Sequence, residues 1–201
     1  MVQAGDSGWN PPANLLFLPP AMRVVPTELP GVLIIEPVVH RDVRGFFLET
    51  YHAERFAQAG ISGPFVQDNH SRSAKGVLRG LHAQRRKPQG KLVRAVEGEI
   101  WDVAVDARPE SPTFGRWTGV TLDAESFRQL WIPAGFLHGF CVLSEWAEIE
   151  YKCTALYDRD DEIGVVWNDP DLAIAWPIET PSLSPKDAAL PRLKAVVPGV
   201  R

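Results

Sequence analysis

Polar groups gather in three stretches of this chain where an ordinary strand would carry apolar or plainly solvent-facing residues. The run FVQDNHSRSAKGVLRGLHAQ, residues 65–84, holds Arg79 and His82 beside Gly76 and Gly80, and glycine permits tight backbone geometry. Gln89-Gly90-Lys91 delivers a lysine from a turn to the head of an apolar strand. Tyr151 falls on the apolar, inward face of an alternating segment. A fold that aims Arg, His, Lys and Tyr into one cavity would bind an anion and move protons. Taken singly, each residue has a plainer role. A histidine among apolar neighbours is commonly a satisfied core residue, Arg79 and Lys91 suit a strand edge, and Tyr151 suits a core with its hydroxyl bonded. Strict alternation also sends Arg79 and His82 to opposite strand faces, so only a bend at Gly80 would unite them.

Rival chemistries find less support. The five histidines, His40, His52, His70, His82 and His138, form no H-x-H pair, and Gln84 stands two residues after His82. Their spacing therefore gives no metal-ligand pattern. The chain lacks G-x-S-x-G, G-x-G-x-x-G and Walker A motifs, and neither Cys141 nor Cys153 has a base beside it in sequence. Both cysteines lie in apolar runs and read as buried free thiols. General acid–base chemistry is the leading enzymatic class that remains.

The elements that must position these groups are short. In 201 residues, 45% are hydrophobic and 23% charged, with 18 prolines and a net charge of −4. That composition fits one globular, turn-rich domain and disfavours a nucleic-acid partner. Nothing approaches a membrane-spanning apolar stretch or calls for an oxidising compartment, so a cytoplasmic protein is expected. Residues 1–23 read as a flexible leader and 24–201 as a single domain. Apolar runs at 32–39, 91–97, 99–106, 117–122, 128–132, 140–143 and 146–154 read as strands, and Trp101, Val103 and Val105 share one face. Ala147, Ile149, Tyr151 and Cys153 likewise share a face, opposite Glu148, Glu150 and Lys152. A helix is expected over 49–59 with Gly60 as its stop, and another after Ser184-Pro185. Nine to twelve short strands and few short helices make an all-β sandwich or barrel, with a jelly roll a natural solution.

From about residue 36 to 190 the chain closely resembles the dTDP-4-dehydrorhamnose 3,5-epimerases. The resemblance rests on DVRGFFLE (42–49), FVQDNHSRSAKGVLRGLH (65–82), QGKLVRAVEGEIWDVAVD (89–106), SPTFG (111–115), QLWIPAGFLHGF (129–140), EYKCTALY (150–157), WNDPDLAIAWP (167–177) and LSPKD (183–187). It implies a cupin-like double-stranded β-helix, a homodimer, and no metal or organic cofactor. The implied reaction inverts C3 and C5 of dTDP-4-dehydro-6-deoxy-D-glucose to give dTDP-4-dehydro-L-rhamnose, in dTDP-L-rhamnose biosynthesis. His82 matches the family's proton acceptor, Asp187 its orienting carboxylate, Tyr151 the proton donor, and Lys91 the group that holds the 4-keto oxygen. Arg44, Glu49, Gln67, Asn69, Arg79 and Lys186 match contacts to the nucleotide and its diphosphate. Tyr157 matches the aromatic that stacks on thymine, while His138 and Glu162 match further substrate contacts. Ala83 departs from the tyrosine common in the family, which implies a reshaped pocket wall near the base. A monofunctional 3- or 5-epimerase, or a ketoisomerase of a related keto-sugar, is the alternative, and a non-catalytic sugar-binding cupin is a third.

Overall fold

The computed structural model describes residues 22–61 and 63–197. Two antiparallel sheets face each other. One runs in the order β1 (Met22–Pro26), β2 (Leu33–Pro37), β10 (Gln129–Ile132), β7 (Lys91–Glu97), β12 (Trp146–Cys153) and β5 (Gln67–Ala74). The other runs β13 (Glu162–Gly164), β6 (Leu78–Gln84), β11 (Phe136–Val142), β8 (Glu99–Asp106) and β9 (Trp117–Asp123). A separate hairpin, β3 (Val39–Asp42) and β4 (Gly45–Leu48), stands apart from both. The architecture is the expected cupin-like jelly roll. The described residues form thirteen strands, one more than the upper end of the expected nine to twelve.

Period-two alternation explains the layering. Between the sheets, Val93, Ala95, Leu130, Ile132, Ala147 and Ile149 meet Ile100, Ala104, Leu122, Phe136, Phe140 and Val142. The alternate residues Val103, Val105, Leu81 and Leu137 face outward, where Val165, Leu172, Leu193 and Val196 from the C-terminal stretch cover them. Strands buried on both faces read as continuous apolar runs, which is why β11 is buried at every position. The six-stranded sheet is covered only in part: Leu92 and Trp131 pack with Ile35, Phe56 and Ile61. The rest of its outer face carries charges paired across strands, such as Arg94 with Glu150 and Lys152 with Asp68.

Among the described residues three short α-helices occur, α1 (Ala53–Gln58), α2 (Pro185–Ala188) and α3 (Leu193–Val196), with one 3-10 turn at Arg159–Asp161. Helix α1 starts later than the expected residue 49 because Gln129 Nε2 donates to the Thr50 carbonyl at 2.9 Å, which ties that segment to β10. Gly60 ends it at φ +80, its N–H bonded to the Ala57 carbonyl, as expected. Helix α2 opens as its sequence dictates, with Ser184 Oγ accepting from the Asp187 N–H and Pro185 at the first position. Met22 and Arg23, expected in the leader, instead open β1, where Arg23 pairs with Glu36. The remainder of that leader lies outside the described residues. Both cysteines are buried free thiols, as expected.

Candidate active site

The bend at Gly80 exists. Strand β11 pairs His138 with His82 but Phe140 with Arg79, so three residue steps on β6 answer two on β11. This bulge resets the alternation and turns Arg79 and His82 into the same cavity. Only glycine fits there: Gly80 has φ +115, and a Cβ would come within 2.6 Å of Gly139 Cα.

Two hollows, of about 460 and 270 Å³, lie between the sheets toward one end and share His82, Lys91 and Tyr151 as wall residues. His82 comes from the five-stranded sheet, whereas Lys91 and Tyr151 come from the six-stranded sheet. Arg79, His138, Lys186 and Asp187 line the larger lobe. Gln67, Asn69, Tyr157 and Glu162 line the smaller. Eleven of the thirteen residues singled out from the sequence thus meet at one cleft.

Arg44 and Glu49 do not join them in this chain. Arg44 sits in the turn of the exposed hairpin and pairs with Asp42 at 2.5 Å, and Glu49 pairs with Arg55 at 2.5 Å.

His82 is held by its hydrogen bonds. Its Nε2 lies 2.8 Å from Asp187 Oδ1, and its Nδ1 lies 3.9 Å from Glu162 Oε1. With Nε2–H donating to Asp187, Nδ1 carries the lone pair toward the cleft. Burial works to raise the Asp187 carboxyl, but the bonds from His82 and Ser184 outweigh it and hold Asp187 below the usual carboxylate range. Its neighbour on the chain, Lys186, reaches Glu162 Oε2 at 2.5 Å, the same oxygen that accepts from the Tyr157 hydroxyl at 2.7 Å.

Lys91 is buried, and burial pulls its ammonium below the ordinary lysine value; Cys153, Asp102 and Glu162 oppose that pull. Burial likewise raises the Tyr151 hydroxyl, so the phenol keeps its proton throughout the neutral range.

Sequence reasoning missed Asp102. It is fully buried on the inward face of β8, and the His138 Nε2–H reaches both of its oxygens, at 2.9 and 3.1 Å. The clue was a carboxylate alternating with Ile100 and Ala104 on an apolar face, because a buried charge needs a partner. Ser71 on the larger lobe, and Ser73, which accepts from Arg79, were also missed. Ala83 lines the smaller lobe beside His82. It also packs in the outer layer with Ile163 and lines a separate apolar hollow of about 380 Å³. Among the described residues, no group of three or more His, Cys, Asp or Glu side chains is arranged to hold a metal ion. No helix among them is long and apolar enough to cross a membrane.

The arrangement gathers an imidazole, a buried amine and a phenol around one cleft, with arginine, lysine and amide side chains on its walls. Known proteins resemble this chain in sequence and in fold. The family model described as dTDP-4-dehydrorhamnose 3,5-epimerase matches residues 26–195. The Shigella flexneri protein named dTDP-4-dehydrorhamnose 3,5-epimerase is 56% identical over 168 residues, covering 83% of this chain and 93% of that one. The crystal structure of a 3,5-epimerase from Legionella pneumophila, solved with dTDP-4-keto-L-rhamnose, superposes with a TM-score of 0.85 at 52% identity, covering 88% of this chain and 95% of that one. A Streptomyces niveus protein named dTDP-4-dehydrorhamnose 3-epimerase is 45% identical over 169 residues, 83% of this chain and 81% of its own. This chain belongs to the dTDP-4-dehydrorhamnose 3,5-epimerase family.

Proposed function

We propose that the protein inverts C3 and C5 of dTDP-4-dehydro-6-deoxy-D-glucose, giving dTDP-4-dehydro-L-rhamnose for dTDP-L-rhamnose synthesis. The observation that carries this reading is the opposition of His82 and Tyr151, which enter one cleft from opposite sheets. Inversion at a carbon needs a base on one face of the sugar ring and an acid on the other.

A hydrogen beside a ketone leaves as a proton only if the charge moving onto the carbonyl oxygen is stabilised. Lys91 supplies that stabilisation as a fixed cation in a site where burial strengthens it. His82 takes the proton at Nδ1, and Asp187 on Nε2 fixes the tautomer and stabilises the imidazolium that forms. The C–H electron pair remains as the enolate. Tyr151 then delivers a proton to the opposite face of the ring. Arg79 and Lys186 meet the diphosphate, Gln67, Asn69 and Tyr157 the nucleoside, and His138 the sugar, oriented by Asp102. None of these steps draws on a metal or organic cofactor. A cytoplasmic setting accords with two unpaired thiols.

The same reading includes a homodimer. The β3–β4 arm exposes Phe46 at 56% and Phe47 at 71% of their surface and carries Arg44 and Glu49 outside the chain's own cleft. A second copy gives that arm a surface to cover and a cleft to complete.

The direct test is proton NMR of the substrate with enzyme in D₂O. Deuterium is expected at both C3 and C5, with signals of the L-lyxo product, and His82→Asn is expected to abolish both exchanges. Exchange at one position alone would make the protein a monofunctional epimerase, like the Streptomyces niveus relative by name. Exchange at neither, in folded protein that binds dTDP, would overturn the catalytic reading.

A further inference from the structure

Glu162 occupies an odd place for a simple substrate contact. Only 12% of its side chain is exposed, its Oε2 accepts from both Lys186 and Tyr157, and its Oε1 points at His82 Nδ1 from 3.9 Å. The imidazole therefore lies between two carboxylates, Asp187 on one nitrogen and Glu162 near the other. One of the two is masked. Lys186 cancels most of the Glu162 charge that His82 would feel, because a cation 2.5 Å from the carboxylate forms a near-neutral pair with it. Lys186 itself is more than half exposed and lines the larger lobe, where an incoming anion would reach it first.

We propose that Glu162 is a positioning residue for the base His82, masked by Lys186 while the cleft is empty and unmasked when a nucleotide diphosphate draws Lys186 away. The proposal rests on the epimerase reading above. A diphosphate carries more charge than one carboxylate and competes for the same ammonium. Once Lys186 turns to it, the free charge of Glu162 favours a proton on the nitrogen that faces the substrate. When the α-hydrogen leaves as a proton, its electron pair stays in the enolate and the proton bonds to Nδ1. The imidazolium then faces one carboxylate at each nitrogen. Substrate binding thus frees a second carboxylate to hold the imidazolium.

The other charged or titratable groups on the cleft walls with His82 are Arg79 on its own strand, His138 from β11, Lys91 from β7, and Tyr151 and Cys153 from β12, with Tyr157 beyond Glu162. Of the groups around His82, Lys186 is the one that both bonds Glu162 and stands at the exposed edge of the larger lobe.

The test follows the His82 ring proton by NMR over pH, with and without saturating dTDP, the signal being assigned by its loss in His82→Asn. In the wild-type protein, dTDP is expected to move the midpoint upward by roughly 0.5–1 pH unit. In Glu162→Gln the empty-cleft midpoint falls and less than half of the dTDP-induced rise survives. In Lys186→Met, an exposed change that leaves the core untouched, the empty-cleft midpoint lies above the wild-type value. The acid limb of kcat moves in step in each variant, whereas a mere substrate contact would raise KM and leave that limb in place. An unchanged dTDP response in Glu162→Gln overturns the proposal while leaving the epimerase reading intact. Failure of dTDP to bind the wild-type protein overturns both.

Discussion

At the scale of single residues, the phenol and the imidazole proposed as acid and base are kept distinct by their surroundings. His82 is polarised by Asp187 and opens on solvent through the cleft, whereas Tyr151 is packed against the apolar core and stays protonated. That separation makes a sharp expectation. Tyr151→Phe removes the acid and spares the base, so substrate in D₂O should still take up deuterium on the His82 face. Inversion should fall by about 10²–10⁴-fold, a typical contribution for a positioned acid. Product formation within tenfold of wild type, followed by NMR, would remove Tyr151 from the mechanism. Lys91 shows how burial works in both directions. Loss of water pulls its ammonium toward neutrality, but the same low dielectric would magnify its effect on the proposed enolate.

At the scale of elements, strand β6 decides whether there is a site at all. A regular strand would turn either Arg79 or His82 out of the cleft, and the bulge at Gly80 turns both in. Gly80→Ala sets a Cβ against Gly139 Cα and the His138 carbonyl, at a φ that disfavours side chains. Because the atoms met are backbone, the neighbours cannot move aside cheaply. A loss of about 2–4 kcal/mol is expected from the combined strain and overpacking, read as a lower midpoint in urea. A midpoint within 0.2 M urea of wild type, an effect of roughly 0.4 kcal/mol, would show that the bulge tolerates a side chain. Helix α2 matters in another way. Its one turn places Lys186 and Asp187 in succession, one for Glu162 and one for His82, so a four-residue helix ties both carboxylates of the base together.

At the scale of the whole molecule, the jelly roll builds a two-lobed cleft between its sheets but leaves the β3–β4 arm uncovered in the single chain. If a second copy receives that arm, sites are shared between subunits. Mixing His82→Asn protein with Arg44→Ala/Glu49→Ala protein, after dissociation and reassociation, should then restore about a quarter of wild-type activity, since half of the dimers are mixed and each holds one complete site. Activity equal to the average of the two separate variants would place Arg44 and Glu49 in some other role.

The sequence by itself determined the class of fold, the inward face of β12 with Tyr151 on it and the cap of α2, and its motifs carried the family resemblance that singled out His82, Tyr151 and Lys91. These are local matters, because alternation, capping and residue chemistry are written within a few neighbouring positions. It also showed that a bend at Gly80 was needed without showing that one was there. The tertiary structure decided the rest. Whether β6 bulges depends on how β11 pairs with it, the partnership of His138 with Asp102 joins residues 36 positions apart, and that of His82 with Asp187 spans 105. Ala83 makes the same point, since it lines the smaller lobe and also packs with the outer layer, a double contact that its neighbours in sequence do not reveal. Contacts made across sheets depend on how whole strands are packed, and no local pattern along the chain records that.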